Sequence, residues 1–172
     1  IHEAASTSSL VVRDGLPGTR EHVATQSSVN SGPLRAACFV EDDSWDVFVE
    51  VLEGWLACRE RSATLAGAAL DVRGYLPAES GHEGVTFSRP PERAELSRLH
   101  LATDVLLVVS RGDLPPGRSV DHVASGRPVV WCASPSPSPH HPFESVGNVL
   151  QVQPFSSWGV ASALESATVA PA

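Results

Sequence analysis

The feature that most constrains the fold is the stretch 104–130, which reads DVLLVVSRGDLPPGRSVDHVASGRPVV. Its aliphatic run, 104–109, is typical of a strand that is covered on both faces of a sheet. Two glycines and two adjacent prolines in 110–117 stop the strand and predict a loop. Ser119 and Gly126 then predict the start and the end of a short helix, and a second apolar run follows. This order of strand, loop, helix and strand is typical of a parallel α/β sheet.

The rest of the chain repeats this alternation of strand and helix patterns. The predicted strands cover residues 36–40, 68–75, 85–87, 104–109, 128–132 and 149–152. The predicted helices begin near Asp43 or Ser44, at Pro90, at Arg118, and near Ser156 or Ser157. Strands that alternate with helices pair in parallel through right-handed crossovers. The sequence therefore predicts a Rossmann-like, three-layer α/β sandwich with a mainly parallel sheet.

The length and patterning predict one folded domain with two flanking segments. Residues 34–167 hold the strand and helix patterns, so we assign them to the Rossmann-like domain. Residues 1–33, rich in Ser, Thr and Gly, predict a linker or a partly ordered segment, and 168–172 a tail. The chain does not begin with methionine, which favours a processed chain or a fragment.

Apolar residues at helical spacing predict which side chains form the core. The helix that follows Ser44 has one apolar stripe, with Trp45, Phe48, Val51, Leu52, Trp55 and Leu56. Another tryptophan, Trp158, is also predicted in the core. His100 and His122 are each predicted on helices, His100 as a helix-face residue and His122 on the surface.

Composition excludes several classes of partner. The net charge of −8 argues against binding to nucleic acid or an anionic membrane, because both need clustered cationic side chains. All twelve Lys and Arg positions are arginine. The absence of lysine excludes a Schiff base on this chain. Cys38, Cys58 and Cys132 lack a CxxC pair and predict buried, reduced thiols in a cytoplasmic protein. No apolar run reaches the roughly 18 residues of a transmembrane helix.

The stretch from residue 95 to residue 130 resembles a known enzyme family. It reads ELSRLHLATDVLLVVS, then RGDLPPGRS, then VDHVASGRPVV. It is similar to the C-terminal, nucleotide-sugar-binding domain of retaining GT-B glycosyltransferases, in which LYRAADVLVLPS precedes an acidic loop, a helix like LEAMASG and a strand PVV. Those enzymes carry two glutamates with seven residues between them, and Asp113 and Asp121 have this spacing. The resemblance covers about 34–167 and is specific only in 96–130.

The resemblance implies a role for each residue of the loop and helix. Asp121 binds the ribose hydroxyls of a nucleoside-diphosphate sugar, and Asp113 lies near the donor sugar as the catalytic residue. The amides of Gly117, Arg118 and Ser119 face the diphosphate. A carboxylate accepts strong hydrogen bonds from hydroxyls, and a helix N-terminus attracts phosphate. The nucleotide sugar is a co-substrate, so no cofactor and no metal are expected.

Two features differ from the family pattern. Both acidic positions hold aspartate, and Glu41, Asp42 and Asp43 follow the first strand where the family has an arginine and a lysine. Arg111 and Arg118 are the candidates for replacing that charge, because a guanidinium binds phosphate through two hydrogen bonds. GT-B enzymes also use an N-terminal acceptor-binding domain, so we expect this chain alone not to complete transfer.

Other functions were weighed against the donor-binding domain. The main alternative is a non-catalytic α/β domain that binds a partner protein or a small ligand, with both aspartates as solvated acids. A triad of Ser110, His122 and Asp113 lacks the G-x-S-x-G turn that exposes a nucleophile. The dinucleotide motif G-x-G-x-x-G is absent after the first strand. His140 and His141 are adjacent on a predicted extended segment and point to opposite sides, which argues against a metal site.

Overall fold

Strands and helices alternate in the computed structural model, which describes residues 32–74, 81–112, 116–134, 143 and 146–169. Side chains are described for all of these except 116–119 and 169. Along the chain these residues form β1 (Arg35–Val40), α1 (Trp45–Arg61), β2 (Ala69–Arg73), β3 (Val85–Ser88), α2 (Arg93–Ala102), β4 (Val105–Ser110), α3 (Pro116–Ala124), β5 (Val129–Ala133), β6 (Val149–Gln151) and α4 (Ser157–Val169).

The strands form one sheet in the order β3-β2-β1-β4-β5-β6, and every pairing between them is parallel. Strands β4 and β5 are buried at every residue and β1 at every residue but its first, as expected of strands that are covered on both faces. The predicted class is therefore confirmed: the protein is a Rossmann-like, three-layer α/β sandwich. The strand order reverses between β1 and β4, which become neighbours although they are far apart in sequence.

Alternate residues of β1, β4 and β5 belong to two cores, which differ in size among the described residues. The larger core lies beneath α1 and α4 and includes fully buried Trp55, Phe48 and Leu107. The smaller core lies on the opposite face of the sheet, where Leu96 and Leu99 of α2 pack. Because side chains alternate along a strand, Leu106 and its neighbour in β4 point into different cores.

Helices α1 and α4 are in close contact above the larger core. A Cβ atom placed on Gly54 of α1 would lie 2.5 Å from the carbonyl oxygen of Ser157 and 2.8 Å from Cβ of Val160. Gly54 therefore permits a close approach of α1 and α4 that a larger residue would prevent. At the start of α4, the amide of Gly159 donates to Oγ of Ser156 at 3.1 Å, which confirms Ser156 as the capping residue.

Two predicted helix starts differ from the structure. Helix α3 begins at Pro116 rather than near Arg118, so Ser119 lies inside the helix instead of capping it. The fixed φ angle of proline suits the first turn of a helix, and this explains the earlier start. Helix α2 begins at Arg93, after both prolines, and Glu92 and Glu95 form a reciprocal capping box there.

The prediction that Trp158 belongs to the core is wrong, because its exposed fraction is 69 %. The inward stripe of α4 is formed by Val160, Ala161 and Leu164, all fully buried. At 3.6 residues per turn, a residue two positions before Val160 points away from this stripe. Among the other aromatic residues of the predicted core, Trp45 is only partly buried.

All three cysteines are free and buried, as predicted. Burial raises the pKa of Cys38 and Cys132, and burial together with the Glu165 carboxylate raises the pKa of Cys58 to about 11. The thiols therefore stay protonated and unreactive at neutral pH. None of the helices in the described ranges is long and apolar enough to cross a bilayer.

Candidate functional site

The candidate site lies at the carboxyl ends of β1 and β4, where the strand order reverses. The chain leaves β1 toward α1 on one face of the sheet and leaves β4 toward α3 on the other face. The two connections therefore diverge and leave a crevice between them, which is the usual ligand site of open α/β sheets. We define the β1/β4 crevice by residues 41–44 and 110–112, which follow or end these strands.

On the β1 side, the crevice is lined by a compact acidic turn. The Glu41 amide donates to the carbonyl oxygen of Val109 at 3.2 Å, which fixes the turn to β4. Ser44 is fully buried, and its hydroxyl donates to Oδ1 of Asp43 at 3.3 Å rather than capping helix α1. Asp42 and Asp43 are exposed. This side of the crevice therefore presents negative charge to a ligand.

On the β4 side, Arg111 reaches across the crevice to the acidic turn. Its Nε donates to the carbonyl oxygen of Asp43 at 2.7 Å, and its Nη2 lies 2.6 Å from Oδ2 of Asp46. The two side chains of this ion pair keep exposed fractions of 49 % and 64 %. The guanidinium is thus already neutralised by a carboxylate, although solvent can reach both partners.

Ser110 holds the β4 side in place and does not present a nucleophile. Its hydroxyl accepts a hydrogen bond from Nε1 of Trp131 at 3.0 Å and donates to the carbonyl oxygen of Gly112 at 3.4 Å. Gly112 has a φ of +70°, a conformation that glycine adopts without strain. The buried hydroxyl therefore shapes the loop that leads toward α3.

The other predicted site residues lie in or next to α3. Asp121 is partly buried on the helix. Gly117 and Arg118 lie in the first turn of α3, where backbone amides lack partners within the helix. Ser119 follows that turn, and its amide is the first that the helical i→i−4 pattern pairs, so it is not free for a ligand as predicted. Asp113 lies outside the described residues. Its predicted place near a donor sugar stays a prediction.

The sequence analysis missed a buried histidine pair beside this helix. His100 of α2 and His122 of α3 have exposed fractions of only 9 % and 4 %, so the predicted surface position of His122 is wrong. Nε2 of His100 lies 3.0 Å from Nδ1 of His122, and the ring of Phe39 in β1 packs 4.1 Å from the His122 ring. For His100 a signal was available, because it shares helical spacing with inward-facing Leu96.

Metal binding has no support from the described part of the chain, which holds no cluster of three or more His, Cys, Asp or Glu side chains that could bind an ion. The adjacent pair His140 and His141 lies outside the described residues. Comparison with known proteins adds no assignment: no protein-family model matches the sequence, and no curated protein is significantly similar to it. The β1/β4 crevice and helix α3 are therefore the features from which a function can be proposed.

Proposed function

We propose that this domain binds a nucleoside-diphosphate sugar at the β1/β4 crevice, as the donor-binding half of a retaining GT-B glycosyltransferase in the cytoplasm. The observation that carries the proposal is the sheet order β3-β2-β1-β4-β5-β6. It opens a crevice at the carboxyl ends of β1 and β4, and the loop from β4 leads directly into α3. Ligands with phosphate groups favour this combination of crevice and helix N-terminus.

The chemistry of a nucleotide sugar matches the groups along α3. Unpaired amides in the first turn and the positive end of the helix dipole favour a diphosphate. Asp121 lies five residues after Pro116, or about 7.5 Å along the axis at the usual helical rise. In the proposed complex its carboxylate accepts hydrogen bonds from the ribose hydroxyls, and Asp113 lies beside the sugar.

Arg111 supplies positive charge in this proposal only after it exchanges partners. An exposed ion pair such as that with Asp46 contributes at most about 1 kcal/mol. A diphosphate offers a guanidinium two charged oxygens in bidentate geometry, and it can therefore replace the carboxylate. The acceptor substrate is held by a second domain, so transfer of the sugar requires that domain as well.

The acidic turn favours a second candidate function. Three carboxylates follow β1 directly, those of Glu41, Asp42 and Asp43. The guanidinium of Arg111 is paired with Asp46. Like charge repels a diphosphate, whereas a neutral or cationic ligand meets no such repulsion. This observation favours a non-catalytic module that binds a partner protein or a small ligand, with a neutral or cationic group at the crevice.

Isothermal titration of the whole chain with UDP, GDP and their sugar conjugates tests the proposal. We expect saturable binding that Asp121→Ala weakens by about 1 to 3 kcal/mol, the usual loss for hydrogen bonds to a charged group. Glu53→Ala is the matched control, because it removes an exposed carboxylate from α1 on the opposite face of the sheet. Circular dichroism establishes that each variant is folded. No binding by the folded chain at millimolar nucleotide supports the second candidate instead.

A further inference from the structure

The buried histidine pair has no role in the proposed donor site, yet it joins three elements of the fold. His100 lies on α2, His122 on α3, and Phe39 of β1 packs against His122 and contacts the His100 ring at a centroid distance of 6.2 Å. The 3.0 Å separation of the two nitrogens is that of a hydrogen bond. One of these nitrogens therefore carries a proton while the other offers a lone pair.

The hydrogen bond requires that one of the two facing nitrogens carries a proton and the other does not. The first added proton binds the outer nitrogen of the donor ring, which keeps the N–H···N bond but leaves a cation in a buried site. A second proton puts an N–H group on both facing nitrogens, and the bond is lost. Because buried charge is costly, each added proton makes the contact between α2 and α3 less favourable.

Two charged groups among the described residues act on His100 in opposite directions. Asp121 of α3 favours a protonated His100, while Arg127, which follows α3 and donates to the carbonyl oxygen of His100 at 3.1 Å, opposes it. Strand β1 faces the pair with the ring of Phe39. Burial is the largest influence, and it lowers the pKa of His100 from its usual value of 6.5.

We propose that the His100–His122 hydrogen bond is a pH-sensitive contact that holds α3 against α2 and β1 at neutral pH and releases it under mild acid. The sign follows from proton uptake. In the unfolded chain His100 binds a proton at higher pH than in the fold, so its stabilisation is complete above about pH 6.5. It is lost progressively as the pH falls below that value.

Released α3 carries with it Asp121 and the first helical turn at the β1/β4 crevice. Acid would therefore lower the affinity of a ligand for this crevice. Only this consequence rests on the proposed function. The pH-sensitive contact itself can be tested without any ligand, so its failure and the failure of donor binding are distinguishable.

The first test replaces both rings with amides that do not titrate. In the double variant H100Q/H122N, the Gln amide takes the place of Nε2 and the Asn amide that of Nδ1. The unfolding equilibrium constant is measured by urea unfolding at pH 7.5 and at pH 5.5. We expect it to rise on acidification about three- to tenfold more in wild type than in the double variant. One such histidine contributes a factor of up to about ten per pH unit. His82→Gln, in an exposed position, is the matched control and keeps the wild-type dependence. Equal pH dependence in wild type and double variant would overturn the proposal.

Hydrogen exchange of the wild-type chain gives a second measurement that needs no variant. After correction for intrinsic exchange rates, amides of α3 are expected to lose protection between pH 7.5 and 5.5 while those of α1 keep theirs. If the double variant does not fold, this comparison decides alone. If the amide protection of α3 changes no more between these pH values than that of α1, the proposal of a pH-sensitive contact is wrong.

Discussion

Arg111 is the side chain that decides how much positive charge the β1/β4 crevice offers to a ligand. In the structure it bridges the acidic turn and the first turn of α1, through the carbonyl oxygen of Asp43 and the carboxylate of Asp46. A phosphate ligand must compete with this carboxylate. The strength of that competition can be measured directly.

Asp46→Asn is expected to tighten UDP binding about two- to fivefold, because an exposed ion pair contributes at most about 1 kcal/mol. The change removes the charge that competes for Arg111 and keeps the size of the side chain. Glu53→Gln, two turns further along α1, makes the same charge change on an exposed residue and is expected to leave affinity nearly unchanged. Equal effects of the two variants in titration calorimetry would mean that Arg111 does not contact the ligand.

At the scale of elements, the contact between α1 and α4 depends on one glycine. Gly54→Ala places a methyl group against Ser157 and Val160, and we expect a loss of about 1 to 3 kcal/mol in the free energy of unfolding. This loss is the reverse of the usual stabilisation when alanine replaces glycine inside a helix.

The matched control for this prediction is Gly67→Ala. Its added Cβ would meet only Pro33, at 3.7 Å, so stability is expected to change little. Urea unfolding of both variants gives the comparison. A Gly54→Ala protein as stable as wild type would show that α1 and α4 can separate without cost.

The elements that were predicted well are those with a strong local signal. The aliphatic run of β4 and the glycine at 126, which has a φ of +72°, fixed the β4, α3 and β5 segments to within a few residues. The start of α3 was missed because proline suits both a loop and a first helical turn. Asp121 was correctly predicted on a helix. The pairing of Arg111 with Asp46, and of His100 with His122, could not be predicted, since these contacts join segments that are distant in sequence.

At the scale of the whole molecule, the two faces of the sheet differ in the apolar side chains that the described residues bury. Among these residues, the core beneath α1 and α4 holds many more buried apolar side chains than the core on the opposite face. Local opening requires less free energy where fewer apolar contacts are broken.

Native-state hydrogen exchange at neutral pH is therefore expected to show two levels of protection. Amides of α2 and α3 exchange through local opening, and those of buried α1 positions exchange only with global unfolding, with a difference of about 1 to 3 kcal/mol in opening free energy. Low concentrations of urea separate the two classes by their different dependence on denaturant. A single, uniform opening free energy across all four helices would contradict this division.

Helix α4 follows the last strand of the sheet and returns to pack against α1, and its buried residues complete the larger core. During synthesis, a nascent chain that ends before α4 leaves Gly54 and Cys58 of α1 without the α4 residues that they contact. The larger core is therefore complete only after residues 157–169 have left the ribosome, and until then part of the apolar face of α1 stays uncovered.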